Sequence, residues 1–190
     1  MPDAPESRRS GAGVASGAPD VEAARWLSLD LVEEAEGWSA LVDAAGLARA
    51  AGAALAKHPT FALATAAEAC VALSDDAQVR DLNKRYRGKD KATNVLSFPA
   101  AATGSAIGGE SRLLGDVVLA LETVSNEAQE QEITLAHHFQ HLVVHGLLHL
   151  LGFDHETESD AREMEGLEIE ILAGLGIANP YTQEVDTFSP

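Results

Sequence analysis

HGLLHLLGFDH, residues 145 to 155, is the stretch from which the rest of the chain is read. His145 and His149 are one helical turn apart, so their rings project from the same face of a helix. Gly152 is placed to stop that helix, and His155 follows three residues later, where a returning chain can bring a third imidazole to the first two. Three neutral ring nitrogens fill three corners of a tetrahedron; zinc takes imidazole readily, and a catalytic zinc site keeps its fourth corner for water. The spacing equals that of the extended zincin signature HExxHxxGxxH, except that Gly146 stands where metalloproteases carry their general-base Glu. A peptidase reading therefore loses its proton acceptor while the metal cage survives. A buried helix whose histidines are merely hydrogen-bonded explains neither the glycine nor the offset of the third histidine.

Working outward, Thr134 to Leu151 reads as a single helix. His138, His141, His145 and His149 share a narrow arc, and Leu135, Phe139, Leu142, Val143, Val144, Leu147, Leu148, Leu150 and Leu151 occupy most of the remainder. A helix apolar nearly all round belongs in a core. With three ligands already supplied, His138 and His141 read as cleft-lining or hydrogen-bonded core groups. Asp154, beside His155, suits either the orienting of an imidazole or the making of a turn. Beyond it, Glu158 to Leu175 sets Met164, Leu167, Ile171 and Leu175 on one side and carboxylates on the other, a helix with a solvated acidic face.

The segments before the histidine helix alternate between the two periodicities. Leu27, Leu29 and Leu31 alternate with polar residues as a strand does, and 38–57, rich in Ala and Leu, reads as a helix. A strand over 68–73 ends at Ser74, Asp75 and Asp76, an N-cap cluster that opens a helix through Val79, Leu82 and Tyr86, ended by Gly88. TNVLSF, 93–98, is extended and closed by Pro99, which confines it to an edge or a strand end. A small-residue loop over Ala100–Glu110 precedes a strand over Leu113–Leu121, interrupted at Gly115 and Asp116, and 122–131 is a polar amphipathic helix. The expected fold is α+β, with about four strands, about five helices and the histidine helix buried among them. Residues 1–20, rich in Gly, Ala, Ser and Pro, are expected to be a disordered tail, and 21–190 one domain.

Composition narrows the function. A formal charge of −17 argues against bulk attraction to nucleic acid, yet of the 13 Lys and Arg, five fall in KRYRGKDK: Lys84, Arg85, Arg87, Lys89 and Lys91, opposed only by Asp90. An anionic ligand has one obvious landing place. The single cysteine, Cys70, excludes an internal disulfide framework and reads as a small core residue. No apolar run reaches membrane-spanning length, so no membrane association is expected, and the location expected is cytoplasmic.

Three blocks, LNKRYRGKDKATNVLSFP at 82–99, LLGD at 113–116 and HGLLHLLGFDH at 145–155, resemble in order and spacing the YbeY family of bacterial ribosomal-RNA maturation endoribonucleases. The similarity runs from about residue 26 to the NPY that ends at Tyr181. It implies a metal-dependent hydrolase specific for single-stranded RNA, acting on small-subunit ribosomal RNA in maturation and in ribosome quality control, and a mixed sheet packed by helices with the histidine helix lining a cleft. By matching position His145, His149 and His155 would hold one zinc ion, and Arg87 would be the arginine needed for RNA processing. Ala92 departs from the family, many of whose members have Pro before this Thr; no ligand is changed.

On this reading zinc would lower the pKa of its water and polarise a phosphoryl oxygen, while the planar Arg87 pairs with phosphate oxygens. The missing Glu leaves the proton acceptor open among hydroxide on the metal, the substrate and Asp116, which reads equally as a structural hydrogen-bond acceptor. The expected partners are single-stranded and ribosomal RNA and the small ribosomal subunit with its proteins. Two other readings stand beside this one: a non-catalytic, RNA-binding assembly factor with a structural zinc, and a metalloprotease without its Glu.

Overall fold

Alternating leucines build the first strand, β1 (Leu27–Glu33), which pairs in parallel with β2 (Ala67–Ser74). β2 in turn pairs in parallel with β4 (Arg112–Ala120), and the short β3 (Val95–Pro99) lies antiparallel on β4. The order β1-β2-β4-β3 places β3 at an edge, the position that Pro99, without an N–H to donate, allows. The computed structural model describes residues 26–61, 66–101 and 111–182; the stretch 1–20 and nearly all of the expected loop over Ala100–Glu110 lie outside the described residues.

Among the described residues five α-helices accompany this mixed sheet, so the expected α+β class holds. α1 (Ala44–Lys57), α4 (Leu135–Leu150) and α5 (Glu158–Ala173) share one core with the sheet, in which Leu55, Val71, Leu73, Val117, Leu119, Phe139, Leu147, Leu148 and Leu172 are sealed from solvent. α3 (Leu121–Glu130) runs straight on from β4 and adds Val124 to that core. α2 (Asp76–Arg87) joins a smaller cluster, Ala72, Val79, Leu96, Val118 and Ala120, on the other face of the sheet. Each fully buried Leu or Phe contributes about 1.5–3 kcal/mol of transfer free energy. The apolar sides of α4 thus hold its histidine arc in place.

The helix expected over 38–57 is two elements. Trp38–Ala40 forms a 3-10 turn, and Asp43 (φ 56°) then caps α1 by accepting from Gly46 N at 3.0 Å. Trp38 is pinned by its indole N–H, which donates to Ser74 O at 2.9 Å. Propensity favours one continuous helix, but the buried indole and the aspartate cap prevail.

β4 is continuous, and its interruption is a bulge. Glu68 pairs with Leu113 and Ala69 with Gly115, which leaves Leu114 as an extra residue. Gly115 adopts φ 132°, and a Cβ there would lie 2.1 Å from Phe98 O, so the bulge requires glycine. Because of the extra residue, Leu114 joins the large core together with Val117 and Leu119.

Candidate metal centre

Thr134 opens α4 by accepting from His137 N at 3.1 Å, and Gly152, at φ 97°, closes it. Gly152 N donates to His149 O at 3.0 Å and Phe153 N to Leu148 O at 3.1 Å, the paired bonds of a Schellman ending. Phe153, just past that glycine, stacks edge-on against Phe61 at 5.8 Å between centroids and anchors the reversed chain. The reversal returns His155 to the helix end, 5.8 Å from the His145 ring and 5.1 Å from the His149 ring. One potential ligand atom from each of His145, His149 and His155 lies within 4.8 Å of the others. His145 and His149 are half-buried and His155 is exposed, so the group opens to solvent on one side.

The hydrogen bonds decide which nitrogens are available. His149 Nδ1 lies 3.0 Å from Phe153 O, a carbonyl that only accepts, so Nδ1 carries the hydrogen and Nε2 keeps its lone pair. Burial first, then the neighbouring His145 and His155, push the His149 pKa below the usual 6.5, which favours this neutral form. His145 Nδ1 lies 2.9 Å from Glu168 Oε1, again an acceptor, so its Nε2 is also turned away from its protein partner. The two Nε2 atoms face each other at 3.1 Å. With both rings neutral and their hydrogens on Nδ1, two lone pairs face each other at that distance, whereas zinc at its usual bond length to imidazole spaces its ligands about 3.3 Å apart. The donor set and spacing fit a divalent cation of this kind.

Gly146 shows why the usual Glu is missing. It is buried, and a Cβ there would meet Val117 Cγ1 at 2.5 Å and Cγ2 at 2.9 Å, with Ser97 Oγ at 3.2 Å. This position faces the sheet, and α4 crosses it too closely for a side chain. Ser97 Oγ donates to Gly146 O at 3.2 Å, and the Ser97 carbonyl accepts from Arg87 Nη2 at 3.3 Å. Arg87, exposed at the end of α2, is thereby linked through a single residue of the edge strand to the backbone beside His145.

The remaining sequence candidates divide. Lys84, Arg85, Lys89 and Lys91 are exposed around the end of α2, where Gly88 (φ 68°) stops the helix. Asp90 takes Arg80 Nε at 2.6 Å and Lys84 Nζ at 2.9 Å, and these bonds hold its carboxyl below the ordinary value. Arg85 lies 5.7 Å over the Tyr86 ring. Asn83, buried, donates to Lys91 O at 2.8 Å and fastens the basic loop to the helix. Asp116 is exposed and, by strand alternation, lies on the side of Val118, the α2 side, whereas Val117 meets α4. The structure does not bring Asp116 to the histidines. Asp154 accepts from His155 N at 2.7 Å.

His138 and His141 lie outside the three-histidine group, each paired with a carboxylate: His138 Nε2 with Glu127 Oε2 at 2.8 Å and His141 Nε2 with Glu168 Oε2 at 2.9 Å. Glu168 corrects the expectation of a wholly solvated acidic face on α5, because it is only 1% exposed. Burial alone would raise its pKa, but the bonds from His141 and His145 outweigh this and lower it to about 2. The signal was available: Glu168 falls four residues after Met164 and three before Ile171, on the apolar stripe itself. No helix among the described residues is long and apolar enough to cross a membrane.

A family model described as Endoribonuclease YbeY matches residues 38–176. Curated relatives described as Endoribonuclease YbeY include a protein of Azorhizobium caulinodans, 50% identical over 155 residues, covering 82% of this chain and 96% of the relative. Another, from Parvibaculum lavamentivorans, is 49% identical over 164 residues, covering 82% and 85%. A third, from Sphingopyxis alaskensis, is 49% identical over 157 residues, covering 77% and 93%. The matched span runs from the 3-10 turn at Trp38 through α5 and so contains the histidine helix, the bulged strand and the basic helix end. With that extent of match, the chain belongs to the YbeY endoribonuclease family.

Proposed function

We propose that this protein is a zinc-dependent endoribonuclease that hydrolyses phosphodiester bonds in single-stranded RNA, its substrate being small-subunit ribosomal RNA during maturation and ribosome quality control. The observation that carries the reading is the pair of Nε2 atoms 3.1 Å apart, each freed by an acceptor at Nδ1, with His155 beside them. Family membership supplies the reaction class. His145, His149 and His155 hold the ion, and zinc when bound supplies Lewis acidity to a phosphoryl oxygen.

The chain's own groups do the rest. Arg87 offers a planar, permanently charged fork for phosphate oxygens and stabilises the charge that builds on phosphorus. Lys84, Arg85, Lys89 and Lys91 draw the RNA backbone to this corner of a molecule whose formal charge is −17. That overall charge repels free RNA, and the small ribosomal subunit with its proteins is the partner that presents the substrate. Among the described residues the metal-ligand group contains three histidines and no cysteine, which favours an open site over a structural zinc closed by four ligands. Crowding at Gly146 leaves no room for a protease-like Glu.

The test is elemental analysis of the purified protein together with cleavage of a defined single-stranded RNA, with and without chelator. The expected result is one zinc per chain and chelator-sensitive cleavage, both lost in His149→Ala. Arg87→Ala should keep its zinc and cleave about 100-fold more slowly, the usual loss when a preorganised charge-stabilising donor is removed. Undiminished cleavage by metal-free His149→Ala would sink the proposal.

A further inference from the structure

From the geometry behind the zinc reading, on which this rests, we infer that Glu168 is a positioning residue of the metal centre: clamped by Tyr181 and His141, it holds the His145 ring with Nε2 turned toward the ion. Oε1 accepts from His145 Nδ1 at 2.9 Å. Oε2 accepts from His141 Nε2 at 2.9 Å and from the Tyr181 hydroxyl. The three donors come from two places, one face of α4 and the turn after α5, where Tyr181 N donates to Asn179 Oδ1 at 2.8 Å.

A carboxylate 1% exposed is an expensive thing to bury, costing several kcal/mol unless its lone pairs are matched. The apolar stripe of α5 offers a hydrocarbon solution at this position, with Met164 and Ile171 on either side of it along the helix. What the carboxylate provides and a hydrocarbon does not is a fixed tautomer. An acceptor at Nδ1 forces the hydrogen there, leaves the lone pair on Nε2 and makes that nitrogen a stronger donor to a cation. Tyr181 and His141 act on the opposite oxygen and stop the carboxylate from rotating away. A Gln in its place has a single acceptor oxygen and an NH2 that would face N–H or O–H groups.

The experiment uses the full chain stripped of metal, zinc itself as the probe, and two readouts. Competition with a chromophoric chelator measures zinc affinity, and long-range nitrogen–proton NMR of the histidine rings reports the His145 tautomer before any metal is added. Glu168→Gln should bind zinc about 10–100-fold more weakly and lose the uniform Nδ1–H form of His145. Tyr181→Phe, which keeps the carboxylate, removes one bond to a charged oxygen and should weaken binding about five-fold, part of that bond's full value, and it carries the test alone if Glu168→Gln does not fold. Wild-type affinity in both variants, or an unchanged His145 tautomer in Glu168→Gln, overturns the assignment. A wild-type protein that takes up no zinc would defeat the metal reading instead, and the tautomer measurement on metal-free protein still decides the role of Glu168.

Discussion

The upper and lower histidines of α4 occupy one arc of one helix, yet they are wired in opposite senses. His138 and His141 present Nε2, the far end of the ring, to Glu127 and Glu168, so the outward nitrogen is already occupied by protein. His145 and His149 are held by Nδ1, the near end, to Glu168 and to the Phe153 carbonyl, and their outward nitrogens meet each other instead. Sequence spacing places all four rings on the same face. The acceptors decide which outward nitrogens are taken by protein and which are left over, and those acceptors come from α3, from α5 and from the chain beyond Gly152.

The change expected to break this division most severely is Gly146→Glu, beside the first lower histidine. A Cβ alone would stand 2.5 Å from Val117 Cγ1, and a charged side chain would then have to leave a buried helix–sheet crossing. Overpacking costs about 1–3 kcal/mol and the unpaired buried carboxylate several kcal/mol more. The variant should be unfolded or aggregated, as read by circular dichroism and size-exclusion chromatography. A folded Gly146→Glu protein with zinc affinity intact would show that the crossing yields and that packing does not bar a zincin-like Glu from this position.

The next largest effect separates the two pairs directly. His138 is 2% exposed, and His138→Ala both opens a cavity and takes one donor from Glu127. Denaturant unfolding of the metal-free protein should show a loss of about 2–3 kcal/mol, with zinc affinity within two-fold of wild type. His149→Ala should do the reverse: zinc affinity collapses, while the metal-free protein loses under about 1 kcal/mol because the ring is half-exposed. If His138→Ala also abolished zinc binding, the upper pair would belong to the metal centre and the division would be wrong.

The sequence made the lower pair readable and hid its supports, for physical reasons. A spacing of four within a helix, followed by a glycine and a third histidine, is local information, and the Schellman ending at Gly152 shows how directly it becomes geometry. The strands, most helix boundaries and the glycine stop at Gly88 were legible in the same way, because caps and periodicity act over a few residues. Glu168 was only half legible: its place on the apolar stripe is written in the helical period, but the partners 27 and 23 residues away that make use of its charge are not. The place of Asp116 was hidden for a related reason: one extra residue at Leu114 resets the alternation of β4 and sends the side chain to the face of the sheet away from α4. In each case the missing information was non-local, a register or a partner that no window of sequence contains.

The smallest effect lies at Glu127, which ties the upper pair to the edge of the sheet. It accepts from His138 Nε2 at 2.8 Å and from Asn94 Nδ2 at 3.0 Å, just before β3. Burial would raise its pKa, but the bonds from His138 and then Asn94 outweigh it and hold the carboxyl below the ordinary 4.5. A carboxyl with a depressed folded-state pKa stabilises the fold above the unfolded value and loses that contribution as pH falls through the folded one. Glu127→Gln should therefore cost about 1 kcal/mol in metal-free protein at pH 6, and the gap from wild type should narrow steadily below pH 4.5. The measurement is a set of urea unfolding curves from pH 6 down to pH 3 for both proteins. A gap that stayed constant across that range would mean that the histidine arc is held by packing and not by charge. Glu127 would then be incidental to the contrast between its upper and lower rings.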